Sequence, residues 1–418
     1  MSKDNSSFFE EKKEWSKTKD ELLGSYLLPY FTKLLRTENN ICYVDCFAGA
    51  GVFDDGSKGS PLIAMDCREK AVGLSKVQRA SSRIHCVFIE KKHAGKLKAN
   101  VETAAKSSYC NKPVVYAGEH ETEVENILFR KLGYNIFLYI DPFGVKPLPF
   151  SLFERLCSMP FASLEILLNF NSFGFFRWAC SAMKIPMRSS DMRKNTYDGM
   201  DDFYFNEENA TVTRVNEVAG GLYWKRIVLK YKKRVLNAHQ AESQLALLYK
   251  RKLMRLFKYA LDIPLRDKEN HMPKYRMIHA CNHYEGCKLM ADQMINSAKK
   301  LHLKIQKEET PTLFSEFSNF SSNLHDGDFV EKSEVRKGVI DVLKKVKKRL
   351  RLKEFLALYI VEKGLINNFK IIIDHLKELE RETPGFIERE TKGGHIKISS
   401  RSWSDDSKVR VYLNAHLV

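Results

Sequence analysis

Two stretches of this chain end apolar runs on residues that can do chemistry. The first is Tyr43-Val44-Asp45-Cys46-Phe47-Ala48-Gly49-Ala50-Gly51. Ile41 to Val44 reads as a buried parallel strand. It ends on Asp45, turns through Gly49 and Gly51, and reaches a helix start at Ser60-Pro61, where Pro behind Ser makes a competent N-terminus. A strand, a glycine turn and a helix form the nucleotide-binding half of an open α/β sheet, with the ligand at the carboxyl ends of the strands. The spacing is neither the dinucleotide Gly-x-Gly-x-x-Gly nor a phosphate loop, which needs Gly-Lys-Ser/Thr. The second stretch is Asn135 to Ile140, a near-continuous apolar strand ending in Asp141-Pro142-Phe143-Gly144. Three further runs end the same way: Ile84 to Ile89 on Glu90, Pro113 to Ala117 on Gly118-Glu119, and Leu164 to Asn169 on Asn169 and Asn171. Polar groups ending successive strands face one crevice, and an acid after the second strand is placed for ribose hydroxyls. Glu90 lies about 45 residues beyond Asp45, against the usual ~20, so an extra helix or loop near Gly73 to Ser81 fills the gap. The alternative for Glu90 is that it merely opens the surface helix behind it.

The elements that position these residues follow from periodicity. Apolar residues at helical spacing (Trp15, Leu22, Leu23, Tyr26, Leu27, Tyr30, Leu34) predict a first helix within residues 8–35, which Pro29 kinks or ends. Residues 1–40 are thus N-terminal helices packed on a core domain at 41–310. Within that domain, about 173–264 reads as a basic helical insertion carrying Lys225, Arg226, Lys230, Lys232, Lys233, Arg234, Lys250, Arg251, Lys252 and Arg255. Basic residues interleaved with Trp224 and Tyr223 suit a phosphate-tracking, base-stacking surface; a solvated face is the plainer alternative. The sheet resumes at Tyr275 to Ala280. Residues 311–332 read as a Ser- and Asn-rich linker. In 333–418, three helical patterns precede a hairpin, Phe386 to Glu390 and His395 to Ile398 joined through Gly393-Gly394. That is the pattern of a winged helix, which can place its third helix in a major groove or bind protein.

The chain has 418 residues, a formal charge of +17, nine cysteines and 12 histidines. The basic balance favours polyanions. The longest apolar run, Phe355 to Val361, is far below bilayer length, so no membrane partner is expected. The polar N-terminus has no apolar signal core, and the odd cysteine number in apolar contexts suits reduced thiols, so a cytoplasmic protein is expected. His279-x-Cys281-x-His283 with Cys287 fits no common zinc spacing, and no metal is expected.

Asp45-x-Phe47-Ala48-Gly49-x-Gly51 resembles the first motif of S-adenosylmethionine methyltransferases that act on amino groups. The resemblance implies that the glycines let the backbone approach the cofactor's amino-acid end while the acid helps hold its ammonium. It also implies that Glu90 binds the ribose and Glu119 the adenine, although that last acid is usually Asp. More of the chain is similar to the three-Cys-motif partner protein family: Trp15 with Lys19, Gly59-Ser60-Pro61, Phe88-Ile89-Glu90, Asp141 to Gly144, Asn169-Phe170, Gly221 to Trp224, Tyr275 to His283, and Leu289-Met290. This resemblance implies a class I methyltransferase (Rossmann-like) α/β fold, S-adenosylmethionine as cofactor, and a partner with a three-cysteine, radical-type iron–sulfur motif.

Asp141-Pro142-Phe143-Gly144 is similar to the Asp/Asn-Pro-Pro-aromatic motif of amino-methyltransferases, with the aromatic one place early. An exocyclic amine needs a carboxylate and a backbone carbonyl to align its lone pair, and an aromatic ring to stack the extruded base. Asp141, Pro142 and Phe143 are therefore the expected catalytic residues, unless the stretch is only a tight turn. With no Pro-Cys pair in the chain, cytosine-C5 chemistry through a cysteine is disfavoured. The expected function is methyl transfer to an amino nitrogen of nucleic acid, RNA or DNA. The alternative is a non-catalytic scaffold binding nucleic acid and the iron–sulfur partner; methylation of a small molecule or protein fits the basic insertion less well.

Overall fold

The computed structural model describes residues 14–106, 108–142, 149–188, 191, 211–266, 272–273, 275–309, 329–346, 350–382 and 410–411. The chain divides into two compact units, Met1–Asn282 and His283–Val418.

The first unit is built on a mixed sheet. Strands β1 (Ile41–Asp45), β2 (Ile84–Glu90), β4 (Asn135–Ile140) and β5 (Ser163–Phe170) are buried almost throughout, as near-continuous apolar sequences require when both faces are covered. β3 (Val114–Ala117) is a half-exposed edge. With β6 (Tyr259–Leu265) and β7 (Tyr275–Cys281) the order is β3-β2-β1-β4-β5-β7-β6. β1 to β5 pair in parallel, and β7 runs antiparallel to both β5 and β6. The order reverses between β1 and β4, where Asp45 lies opposite Tyr139. Open α/β sheets bind ligands at such a switch point, beyond the carboxyl ends of the strands.

Helix α1 (Glu14–Leu34) runs through Pro29, so of the two expectations for that proline the helix end is not what the structure shows. Its packing supplies the reason: Leu22, Leu23, Tyr26, Leu27 and Phe31 are completely buried, so tertiary contacts on both sides of the proline hold the helix together. Helix α2 (Ser60–Gly73) starts as expected, with Gly59 rather than Ser60 as the cap and proline in the first turn. A loop with one tight turn, Ala80–Ser82, occupies the long stretch before β2. Helices α3 (Ala94–Ala105), α4 (His120–Phe129), α5 (Phe150–Ser158) and α6 (Ser172–Ala182) follow their strands.

Among the described residues, α7 (Val212–Ala219), α8 (Tyr223–Lys232) and α9 (Ala238–Leu253) form the insertion. β6 falls inside the stretch expected to be helical. Its Pro264 is compatible with a strand because β6 is the edge of the sheet and needs no ladder donor on its outer side.

In the second unit, α10 (Tyr284–Glu309), α11 (Lys332–Lys345), α12 (Leu352–Lys363) and α13 (Phe369–Glu382) are helical. β8 (Leu350–Arg351) pairs antiparallel with β9 (Arg410–Val411). Phe369, Ile372, Leu376 and Leu379 form the buried side of α13. The expected hairpin at 386–398 and most of the expected linker lie outside the described residues. Among the described residues, no helix is long and apolar enough to cross a membrane.

Candidate functional site

The segment after β1 is tied to both neighbouring strands at the switch point. Cys46 donates its N–H to the Tyr139 carbonyl of β4 at 3.0 Å, and Ala48 donates to the Ile89 carbonyl of β2 at 3.1 Å. Gly49 and Gly51 then take left-handed conformations, φ 61° and 80°, which favour glycine. Their surroundings differ. A Cβ on Gly51 would meet Leu97 Cδ1 at 3.0 Å and Leu62 Cδ1 at 3.1 Å, so that position is closed by packing. A Cβ on Gly49 would meet nothing within 4 Å, so the loop backbone is approachable there.

Glu90 joins two expectations. Its Oε2 accepts the Gly49 N–H at 2.9 Å, while Oε1 accepts the N–H groups of Lys92 and His93 at 2.8 and 3.1 Å. The carboxylate thus opens the segment leading into α3 and clamps the glycine loop at once. It remains slightly exposed, at 8%, and a carboxylate has about four acceptor directions, so Oε2 retains capacity for a hydroxyl.

Asp45 faces inward and is fully buried. It accepts the Phe47 N–H at 3.2 Å and the Tyr43 hydroxyl at 3.2 Å. Burial pushes its carboxyl up to about 7, against the hydrogen bonds from Ser60, Phe47 and Tyr43 and with nearby Asp141 adding to the rise. In this arrangement Asp45 braces the loop from beneath. Phe47 is half-buried and Ala48 is buried. Glu119 is exposed and ion-paired with Lys91 at the start of α4.

Asp141, at the end of β4, is the most heavily bonded acid of the crevice. Lys19 of α1 donates to both its oxygens, at 3.0 Å (Oδ1) and 2.8 Å (Oδ2). Asn169 Nδ2 donates to Oδ1 at 2.6 Å and the Tyr139 hydroxyl to Oδ2 at 3.3 Å. The four contacts fill the usual acceptor directions of a carboxylate. Pro142 is half-buried; Phe143 and Gly144 lie outside the described residues. In the sequence Lys19 entered only through family resemblance, with no role. The signal for one was its place on a helix face otherwise made of Leu22, Leu23 and Tyr26, where a lysine stays buried only if it is paired.

Behind β5 and β7 lies a second polar group of residues. Glu165 accepts the Tyr26 hydroxyl and lies 3.1 Å from His279 Nε2, all three being buried. On the opposite face of β7, Arg276 donates to both oxygens of the fully buried Glu242, at 2.6 and 2.9 Å, and to Asp262 at 2.9 Å. Burial works against ionisation of Asp262, but Lys250 and Arg276 outweigh it and hold that carboxyl down at about 2. Among the described residues, no three His, Cys, Asp or Glu side chains are grouped to hold a metal ion.

The base-stacking expectation for the insertion needs correction. Trp224 is fully buried, its indole N–H donated to Asn216 Oδ1 at 2.9 Å. Tyr231 and Tyr249 are buried as well, and Tyr223 is half-buried. Trp224, Ile227, Val228 and Tyr231 repeat at helical spacing and form the core face of α8.

No protein-family model matches this chain, and no curated protein matches it at a significant level.

Proposed function

We propose that the first unit is an S-adenosylmethionine-dependent methyltransferase acting on an amino nitrogen of nucleic acid. The observation that carries the reading is the switch point itself. There an open glycine loop is clamped by the acid of β2 and stands beside Asp141 of the adjoining β4. Two further features support it. The antiparallel β7 between β5 and β6 departs from the dinucleotide-binding order 3-2-1-4-5-6 in the way class I methyltransferase sheets do. The motif resemblance adds the amino-group acceptor and a three-Cys-motif iron–sulfur partner.

The residues present fit the cofactor. The space beside Gly49 leaves the loop open to its amino-acid end, and Glu90 has acceptor capacity for the ribose hydroxyls. When bound, the cofactor supplies an electrophilic methyl group on a sulfonium. The chain's own part is positioning. With a Lys19 contact given up to the acceptor amine, Asp141 and the backbone carbonyl beside it accept its hydrogen bonds, which aligns the lone pair. Asn169 and Tyr139 hold the Asp141 carboxyl plane in place.

The saturation of Asp141 favours a second reading, a scaffold without activity, in which Lys19 and Asp141 form a structural ion pair. Titration calorimetry of the full chain with S-adenosylmethionine and its demethylated product tests the cofactor assignment. Binding that is lost in Gly49→Val, with the far-ultraviolet circular dichroism unchanged, is the expected result. Absence of heat with either ligand on folded wild type removes the methyltransferase reading.

A further inference from the structure

From 211 to 258 the chain carries twelve Lys and Arg against two acids, Glu217 and Glu242. Glu242 is internal and spent on Arg276. Lys250 and Lys252 are paired with Asp262 and Glu154, whereas Arg226, Lys232, Lys233, Arg234, Arg251 and Arg255 are exposed. Among the described residues none of these six makes an ion pair. Three of them are consecutive, where α8 ends and the chain turns toward α9. The aromatic rings of the same helices point the other way, into the core, so this surface offers cations and few faces for stacking.

The helix that a winged-helix reading would send into a groove has the opposite character. α13 carries Lys370, Lys377 and Arg381 against Asp374, Glu378, Glu380 and Glu382. Arg336 of α11 is already paired with Glu378 and Glu382.

We infer that the exposed basic surface of α8 and α9, rather than α13, is the nucleic-acid-binding surface, and that it holds the phosphate backbone without reading or stacking bases. The partner is a nucleic acid of no fixed sequence; this rests on the proposed acceptor class and deepens it. Contacts made only to phosphates position the strand and carry no sequence information. Each neutralised phosphate on duplex DNA contributes roughly 0.9 to the slope of log affinity against log salt.

The test is fluorescence anisotropy of the full chain with a random-sequence duplex, and with a normal and an abasic single strand of the same length, between 50 and 200 mM salt. The triple variant Lys232→Gln, Lys233→Gln, Arg234→Gln should lower the duplex slope by about 2.7, so that wild type loses about 40-fold more affinity across that range. Lys337→Gln, Lys344→Gln, Lys370→Gln in the second unit should leave the slope unchanged. The abasic strand should bind within about threefold of a normal strand, because a stacked base is worth ~1–3 kcal/mol. An unchanged slope in the first triple, a loss in the second, or preference for phosphatidylserine vesicles over nucleic acid overturns the assignment. Calorimetry with S-adenosylmethionine on wild type and on the first triple separates the two ideas. Absence of cofactor binding in folded wild type removes the methyltransferase and leaves the surface, whereas a changed slope in the first triple with intact cofactor binding supports both.

Discussion

Asp45 carries the sharpest pH prediction. An unfolded chain ionises this carboxyl near its ordinary 3.8, whereas the folded protein holds it protonated up to about 7. That gap corresponds to ~4 kcal/mol at 1.36 kcal/mol per pH unit. The sign follows from the direction. Below pH 4 both states are protonated and the fold bears no penalty. Between pH 4 and 7 only the unfolded chain releases the proton, so stability falls as pH rises, and above 7 the loss is complete. Asp45→Asn keeps an oxygen for the Phe47 N–H and offers an amide N–H to the Tyr43 oxygen, but it cannot ionise. The variant should therefore gain on wild type by up to ~4 kcal/mol between pH 4 and pH 8, other titrating groups cancelling in the difference. Urea unfolding read by tryptophan fluorescence, in a Trp403→Phe background, reports the first unit through buried Trp178 and Trp224. A difference between the two proteins that stays flat from pH 4 to pH 8 refutes the argument.

Three other perturbations follow from the same geometry. Gly220 caps α7 at φ 63°, and a Cβ there would lie 2.5 Å from Phe150 Cγ; Gly220→Ala should cost at least ~2 kcal/mol in the same unfolding assay. Arg276→Met leaves Glu242 buried and uncompensated and should cost about 3–5 kcal/mol, with much of the loss recovered in the double variant Arg276→Met, Glu242→Met. Lys19→Met removes the cation from the partly buried Asp141. If Asp141 serves the acceptor, this variant should retain cofactor binding and change the single-turnover rate of transfer, which a purely structural pair would leave in place.

Much of the sheet was legible in the sequence because its central strands are buried on both faces. Runs such as Asn135 to Ile140 have little other use in a chain of this charge. The reversed direction of β7 was not legible, because a buried seven-residue run reads the same parallel or antiparallel. β6 was hidden by Pro264 and by the basic helix before it. In the site, the acids at strand ends stood out by position, but sequence spacing could not say which way each side chain turns. Asp45 goes beneath the loop, Glu90 onto it, and Glu119 out to Lys91. Trp224 was read for its neighbours Lys225 and Arg226, when its spacing to Ile227, Val228 and Tyr231 already marked it as core.

Under the proposed function Asp141 serves methyl transfer and does more than pair with Lys19. The direct measurement is single-turnover transfer of labelled methyl from S-adenosylmethionine to total cellular RNA and DNA, followed by nucleoside analysis, with the candidate iron–sulfur partner added. Wild type should place the label on an exocyclic amino nitrogen. Asp141→Ala should lower the rate about a thousandfold with cofactor affinity nearly intact, the loss expected when a charge-assisted hydrogen bond made chiefly in the transition state is removed. Equal transfer by wild type and Asp141→Ala, or no transfer by folded wild type that binds the cofactor, contradicts the account.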